Sequence, residues 1–174
     1  RNKKSAEDSF KTAMLSALLI AILIALLSLL FSNSFVASFT SDALAIELGS
    51  SYLKIISICF PFVFLSTIIA SLFNSHSLSL YAMLIQSSGA ILNIILDPIF
   101  IFYFDLGANG AAIATALGYV FSFIFGLILY KRRSILSLKG AFSFDVLKSI
   151  TNIALPSMMV SAAGSIVGLI YNRL

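Results

Sequence analysis

Long apolar runs separated by short polar stretches set the pattern of this chain. Leu, Ile, Ala and Phe dominate residues 12–31, 43–73, 81–104 and 109–130, and a fifth apolar run opens near Ser149 and continues to Leu174. A helix rises 1.5 Å per residue, so about 20 apolar residues cross the ~30 Å hydrocarbon core of a bilayer. The pattern therefore predicts five membrane-spanning helices. Between them lie a charged start at residues 1–11, a polar turn at 32–42, a second turn at 74–80, a four-residue turn at 105–108 and a basic loop at 131–148.

The runs differ in what they carry. The first is purely apolar apart from Ser16 and Ser28, hydroxyls that bond back to their own helix, and packing is its whole expected role. The second is longer than a bilayer needs, and its uncharged part begins only at Ile55. Glu47 and Lys54, seven residues apart on one helical face, belong at the interface, where the Lys54 stem can snorkel; a buried functional pair is the alternative. Pro61 should bend this helix. His76 falls in the turn that follows, as a solvated loop residue, and Cys59 is a small core residue that cannot form an internal disulfide alone. In the fourth run Ala111, Thr115, Gly118, Ser122 and Gly126 make a stripe of small residues that admits a neighbouring helix closely.

The third run holds the chemistry. Asp97 is a carboxylate inside an otherwise uncharged segment of roughly 24 residues, and a charge at the centre of a membrane helix costs ~2.5–3.5 kcal/mol or more. At ~100° per residue Gln86, Ala90, Asn93 and Asp97 share one face, with Gly89 beside them, while Ile and Leu cover the remainder. Pro98 has no N–H, so the carbonyl of Ile94 loses its helical donor and a local kink is expected. Asp97 stands seven residues before the end of its run near Phe104, and Thr115 six residues after the next run starts near Asn109. Both then lie ~10 Å from the same membrane surface, on antiparallel neighbours. Asn93, Asp97 and Thr115 can offer oxygen ligands to Na⁺ or form a hydrogen-bonded proton site. Gln86, further along the stripe, is a candidate to face substrate.

Composition sharpens the class. With 60% hydrophobic and 10% charged residues and a mean hydropathy of +1.06, the chain is an all-α polytopic membrane protein. It begins with Arg1 and stops within an apolar run, so it reads as a piece of a longer protein without a cleavable signal pattern. Of eleven Lys and Arg, four precede the first run and five lie between the fourth and fifth. The positive-inside rule puts residues 1–11, 74–80 and 131–148 in the cytoplasm and the turns at 32–42 and 105–108 outside. Asp97 and Thr115 then belong to the outer half of the membrane. Topology accounts for the net charge of +4, so no nucleic-acid partner is called for.

The signature Asn93-x-x-x-Asp97-Pro98, a short turn with Gly107, then Gly110-Ala111-Ala112-Ile113-Ala114-Thr115 resembles the multidrug and toxic compound extrusion family of cation-coupled antiporters. So do the Tyr52-Leu53 pair opening a helix, Pro61 within it, and a basic loop before a helix carrying Pro156. The resemblance implies the third to seventh helices of a two-lobe, twelve-helix transporter with an internal repeat and alternating access. Residues 1–131 would supply four helices of the amino-terminal lobe, 132–148 the cytoplasmic inter-lobe linker, and 149–174 the first helix of the second lobe. It further implies that Asn93, Asp97, Thr115 and the Ala111 backbone carbonyl surround the coupling cation, that Tyr52 lines the substrate pocket, and that a further Asp on the family's first helix lies outside this sequence. The turn at 74–80 departs from the family, which usually carries a basic residue and a glycine there; here it reads Asn74-Ser75-His76-Ser77-Leu78-Ser79.

The expected activity is export of an organic cation, coupled to Na⁺ or H⁺ and otherwise cofactor-free, by a protein that is monomeric at full length and sits in the cytoplasmic membrane. Polysaccharide and lipid flippases share this architecture and remain an alternative, as does a channel or membrane scaffold. An intramembrane enzyme would need a nucleophile and base or a metal constellation; the sole His and Cys lie in different contexts and no catalytic residue is assigned.

Overall fold

The computed structural model describes residues 3–133, 135–137 and 139–171, with backbone alone at 165, 166 and 168–171. Arg1, counted with the first basic group, and Leu174, where the fifth run stops, lie outside the described residues, as do the side chains of Ser165 and Gly168. The chain is all-helical in order: α1 (Lys3–Ala37), α2 (Ala43–Ser57), α3 (Phe60–Ser75), α4 (Ser79–Pro98), a π-helical turn (Ile99–Tyr103), α5 (Gly107–Arg133) and α6 (Phe144–Tyr171). Among the described residues four helices are long and apolar enough to cross a membrane, and α2 with α3 makes a fifth span that is bent by 52°.

The helices overrun the apolar runs. α1 begins in the charged segment, because Lys, Ala and Glu are good helix formers whether or not lipid surrounds them. It also continues through residues 32–37, which had been expected in the turn; no Gly or Pro interrupts that stretch. Only residues 38–42 connect to α2, whose first turn is capped by Asp42 Oδ1 accepting from the N–H groups of Leu44 at 2.9 Å and Ala45 at 3.4 Å. The bend expected at Pro61 lies at Ile58 and Cys59, with the proline seated in the first turn of α3, where its missing N–H costs nothing.

Two compact units divide the chain: Met14–Ile135, and a smaller one that joins the first turns of α1 to the segment from Leu136 onward. In the larger unit α5 packs against α2, α3 and α4. The small-residue stripe has α4 as its partner. A Cβ built on Gly89 would stand 2.5 Å from the Gly118 carbonyl oxygen, and one on Gly118 would stand 2.7 Å from that of Gly89, so the two backbones touch. Ile69, Ala70, Phe73, Ala82 and Ile85 form the buried cluster at the α3–α4–α5 contact, with Phe73 stacked on Tyr81. Arg133, at the end of α5, lies over the Tyr81 ring, 4.6 Å from its centroid, and donates to its hydroxyl.

Along α1, Ala17, Ala21 and Ala25 are buried while Leu19, Leu23, Leu26 and Leu30 are exposed. Small residues inward and large apolar residues outward suit a helix whose solvent is lipid, because burying Leu there gains little over leaving it in the acyl chains. In the smaller unit the start of α1 accepts backbone donors from the basic loop: Glu7 Oε1 from Ser137 N at 3.4 Å, Asp8 Oδ1 from Ala141 N at 2.6 Å and Thr12 Oγ1 from Ser143 N at 3.1 Å. The loop thereby satisfies N–H groups that no regular ladder would.

Candidate functional site

Asn93 and Asp97 are one helical turn apart on α4, the spacing at which side chains meet. Asn93 Nδ2 donates to Asp97 Oδ1 at 3.0 Å and to Thr115 Oγ1 at 3.3 Å. One amide thus joins the carboxylate on α4 to the hydroxyl on α5. The two helices run back past each other far enough to bring positions 93 and 115 within hydrogen-bond reach. The reversal is tight because Asp105 and Gly107 both take positive φ, at 52° each, a conformation open to Gly and tolerated by Asp.

The discontinuity expected at Pro98 takes a definite form. Ile99 N–H bonds back to Leu96 O, and the following turn widens into a π-helix in which Phe104 N donates to Ile99 O at 3.0 Å. Such single turns recur at functional sites. Gly110 supports this turn: a Cβ there would stand 2.6 Å from the Phe100 carbonyl oxygen, so α5 can start against it only with glycine.

Tyr52, on α2, adds a third helix. Its hydroxyl stands 3.5 Å from Thr115 Oγ1, continuing the chain Asp97–Asn93–Thr115–Tyr52. Asn93, Asp97, Thr115 and Tyr52 are all half-buried. Ala111 lies one turn before Thr115 on the same face of α5, also half-buried. Gln86 is exposed, two turns before Asn93, and no hydrogen bond ties it to the cluster.

The donor set decides what this cluster can hold. Asn93 spends both amide hydrogens on Asp97 and Thr115, and among the described residues its own carbonyl oxygen and Asp97 Oδ2 have no hydrogen-bond partner. Among the described residues no Lys or Arg pairs with Asp97, so its charge is met by neutral dipoles alone. One carboxylate with amide, hydroxyl and phenol oxygens suits a hard monovalent cation or a proton. No three His, Cys, Asp or Glu side chains gather as a metal site among the described residues.

Other candidates fall elsewhere. Glu47 and Lys54 are exposed, and with Asn33, Ser34, Ser50 and Ser51 line a cavity of about 630 Å³ between α1 and α2. His76 is exposed at the end of α3, its Nδ1 3.0 Å from Leu72 O, and Cys59 is buried at the α2–α3 break. One contact escaped the sequence reading: Ser51 Oγ donates to Asn109 Oδ1 at 2.7 Å, tying α2 to the first turn of α5. The adjacency of Ser51 to Tyr52 was its only signal.

The MatE family model matches residues 1–99. The multidrug export protein MepA of Staphylococcus saprophyticus subsp. saprophyticus is 32% identical over 127 residues, 71% of this chain and 28% of that protein. A solved structure described as MATE in the bent conformation superposes with a TM-score of 0.88 at 26% identity, over 94% of this chain and 38% of that one. A MOP superfamily transporter from Pyrococcus furiosus, for which the reverse polarity of the binding pocket is said to suggest a different function, gives a TM-score of 0.86 at 26% identity, over 94% and 37%. The chain therefore spans less than a third of the curated relative's length.

Proposed function

Because this chain belongs to the multidrug and toxic compound extrusion family, we propose that it forms part of a secondary antiporter that exports organic cations by alternating access, coupled to Na⁺ or H⁺. The observation that carries this reading is the Asn93 amide bonded to both Asp97 and Thr115, a carboxylate held among neutral oxygens inside an apolar span. An uncompensated carboxylate in that position is costly, and its retention is explained by a cation or proton that binds and leaves.

In this reading Asp97 is the charged ligand, Asn93 and Thr115 orient it, Ala111 contributes its carbonyl, and Tyr52 borders the substrate path, with Gln86 further along it. An ion shifts a conformational equilibrium only as far as it binds one state better than the other. Binding at Asp97 neutralises the carboxylate and relieves the demand on Asn93, so the ion-bound and ion-free clusters favour different placements of α4 against α5. Residues 1–131 serve the amino-terminal lobe, 132–148 the cytoplasmic linker and 149–174 the second lobe, in a monomer of the cytoplasmic membrane.

One alternative has a specific support. A MOP superfamily transporter of the same fold has a pocket polarity said to suggest a different function, so the fold alone does not fix the substrate, and a polysaccharide or lipid flippase is the second reading. The test is transport by the full-length protein in proteoliposomes under imposed Na⁺ or pH gradients. Uphill movement of an organic cation that stops when the gradient is collapsed supports the antiporter. Flux that only runs downhill marks a channel, movement of a lipid-linked sugar without cation export marks a flippase, and no flux leaves a scaffold.

A further inference from the structure

We propose that Ser51 and Asn109 are positioning residues that set whether Tyr52 reaches the Asp97 cluster, a control on the coupling site that rests on the reading above. The two contacts from α2 to α5 are unequal. Ser51 Oγ donates to Asn109 Oδ1 at 2.7 Å, a short hydroxyl–carbonyl bond, whereas Tyr52 meets Thr115 at 3.5 Å, the outer limit of a hydrogen bond. A shift of a few tenths of an ångström in α2 breaks the second, and the shorter bond is the one that can hold α2 against such a shift. Ser51 and Tyr52 are adjacent on α2, but Asn109 and Thr115 are six residues apart on α5, ~9 Å along its axis. The short serine therefore fixes the backbone against the start of α5, and the long tyrosine reaches from that fixed point down to the cluster.

The segment that Ser51 pins can move as a unit. α2 is severed from α3 at Ile58 and Cys59, where the axis turns by 52° and α3 starts anew with Pro61 in its first turn. Breaks of this kind act as hinges for the half-helix beyond them. On the other side of Asn109 the anchor is firm, because Gly110 seats the first turn of α5 on the Phe100 carbonyl in the π-turn that follows Asp97-Pro98. The pin thus joins a hinged half-helix to the element that continues directly from the carboxylate. With the pin made, Tyr52 completes the oxygen set; with it broken, the set is reduced to Asn93, Asp97, Thr115 and the Ala111 carbonyl, and the cation is held less tightly.

The experiment uses the full-length protein with Cys59→Ala and spin labels at Leu48→Cys on α2 and Leu117→Cys on α5, both exposed sites away from the cluster. The distance distribution between the labels is read by pulsed electron paramagnetic resonance, alongside the ion concentration that half-saturates transport. The expected result for Ser51→Ala is a broadened distribution and a 3- to 10-fold weaker ion dependence, both restored by Ser51→Thr, which keeps the hydroxyl. Tyr52→Phe added to Ser51→Ala should weaken the ion dependence no further, since the tyrosine has already been lost from the cluster. An unchanged distribution in Ser51→Ala, or effects of Ser51→Ala and Tyr52→Phe that multiply, overturns the proposal. A broadened distribution with unchanged ion dependence also overturns it. In that last case Asp97→Asn separates the causes: if it abolishes coupling, only the pin is wrong, and if it is silent, the coupling site itself is misassigned.

Discussion

At the residue scale, few groups hold the proposed site. Thr115 supplies one neutral oxygen and receives one bond from Asn93 at 3.3 Å, an interaction of about 1 kcal/mol net. Thr115→Ala should raise the half-saturating ion concentration roughly five-fold without abolishing transport, the conversion of that energy to an equilibrium constant. Titrating ion-driven efflux checks this. Lys54 is exposed at the mouth of its cavity, and Lys54→Gln should leave the ion dependence unchanged in the same assay. The Asp97 cluster was legible at this scale because a helix converts spacing into direction: positions 93 and 97 share a face in any α-helix, and a carboxylate in an apolar span demands a partner. The Ser51–Asn109 bond was not legible. Two polar residues 58 apart in sequence meet only because of where α2 crosses α5, and neither Ser51 nor Asn109 stands out from the serines and asparagines around it.

The helices themselves add a second layer of constraint. Contact between α4 and α5 depends on Gly89 and Gly118, whose backbones leave no room for a side chain. Gly118→Val should destabilise the protein by about 1–3 kcal/mol, the usual cost of overpacking, seen as a lower midpoint of thermal unfolding in detergent. Gly164 has nothing within 4 Å of a built Cβ and lies inside α6. Gly164→Ala should hold or raise the same midpoint, by up to about 1 kcal/mol of helix propensity. The small-residue stripe foretold close approach, and α4 proved to be the partner. Helix ends were foretold less well. The first helix starts at Lys3 and ends at Ala37 because helix formation needs only backbone bonds and tolerant side chains, whereas hydropathy marks where lipid begins and stops. Pro61 was legible as a bend and Pro98 as a disruption, but the π-turn after Pro98 required the packing of Gly110 on Phe100 to be seen.

For the whole molecule, orientation is proposed to follow from the basic residues and coupling from the carboxylate. Basic residues gather before the first span and after the fourth, so an impermeant thiol reagent applied to intact cells should label Asp105→Cys and spare Arg133→Cys; the reverse pattern inverts the topology. Coupling of ion binding to export by the Asp97 carboxylate is the proposed mechanism. It is tested most directly by the ion dependence of uphill substrate export in full-length Asp97→Asn. This substitution keeps the shape and hydrogen-bonding reach of the side chain and removes the charge that separates ion-bound from ion-free states. The account predicts a folded, normally inserted protein in which uphill export is lost. Export against a gradient by Asp97→Asn, with the ion dependence of the unsubstituted protein, would contradict it.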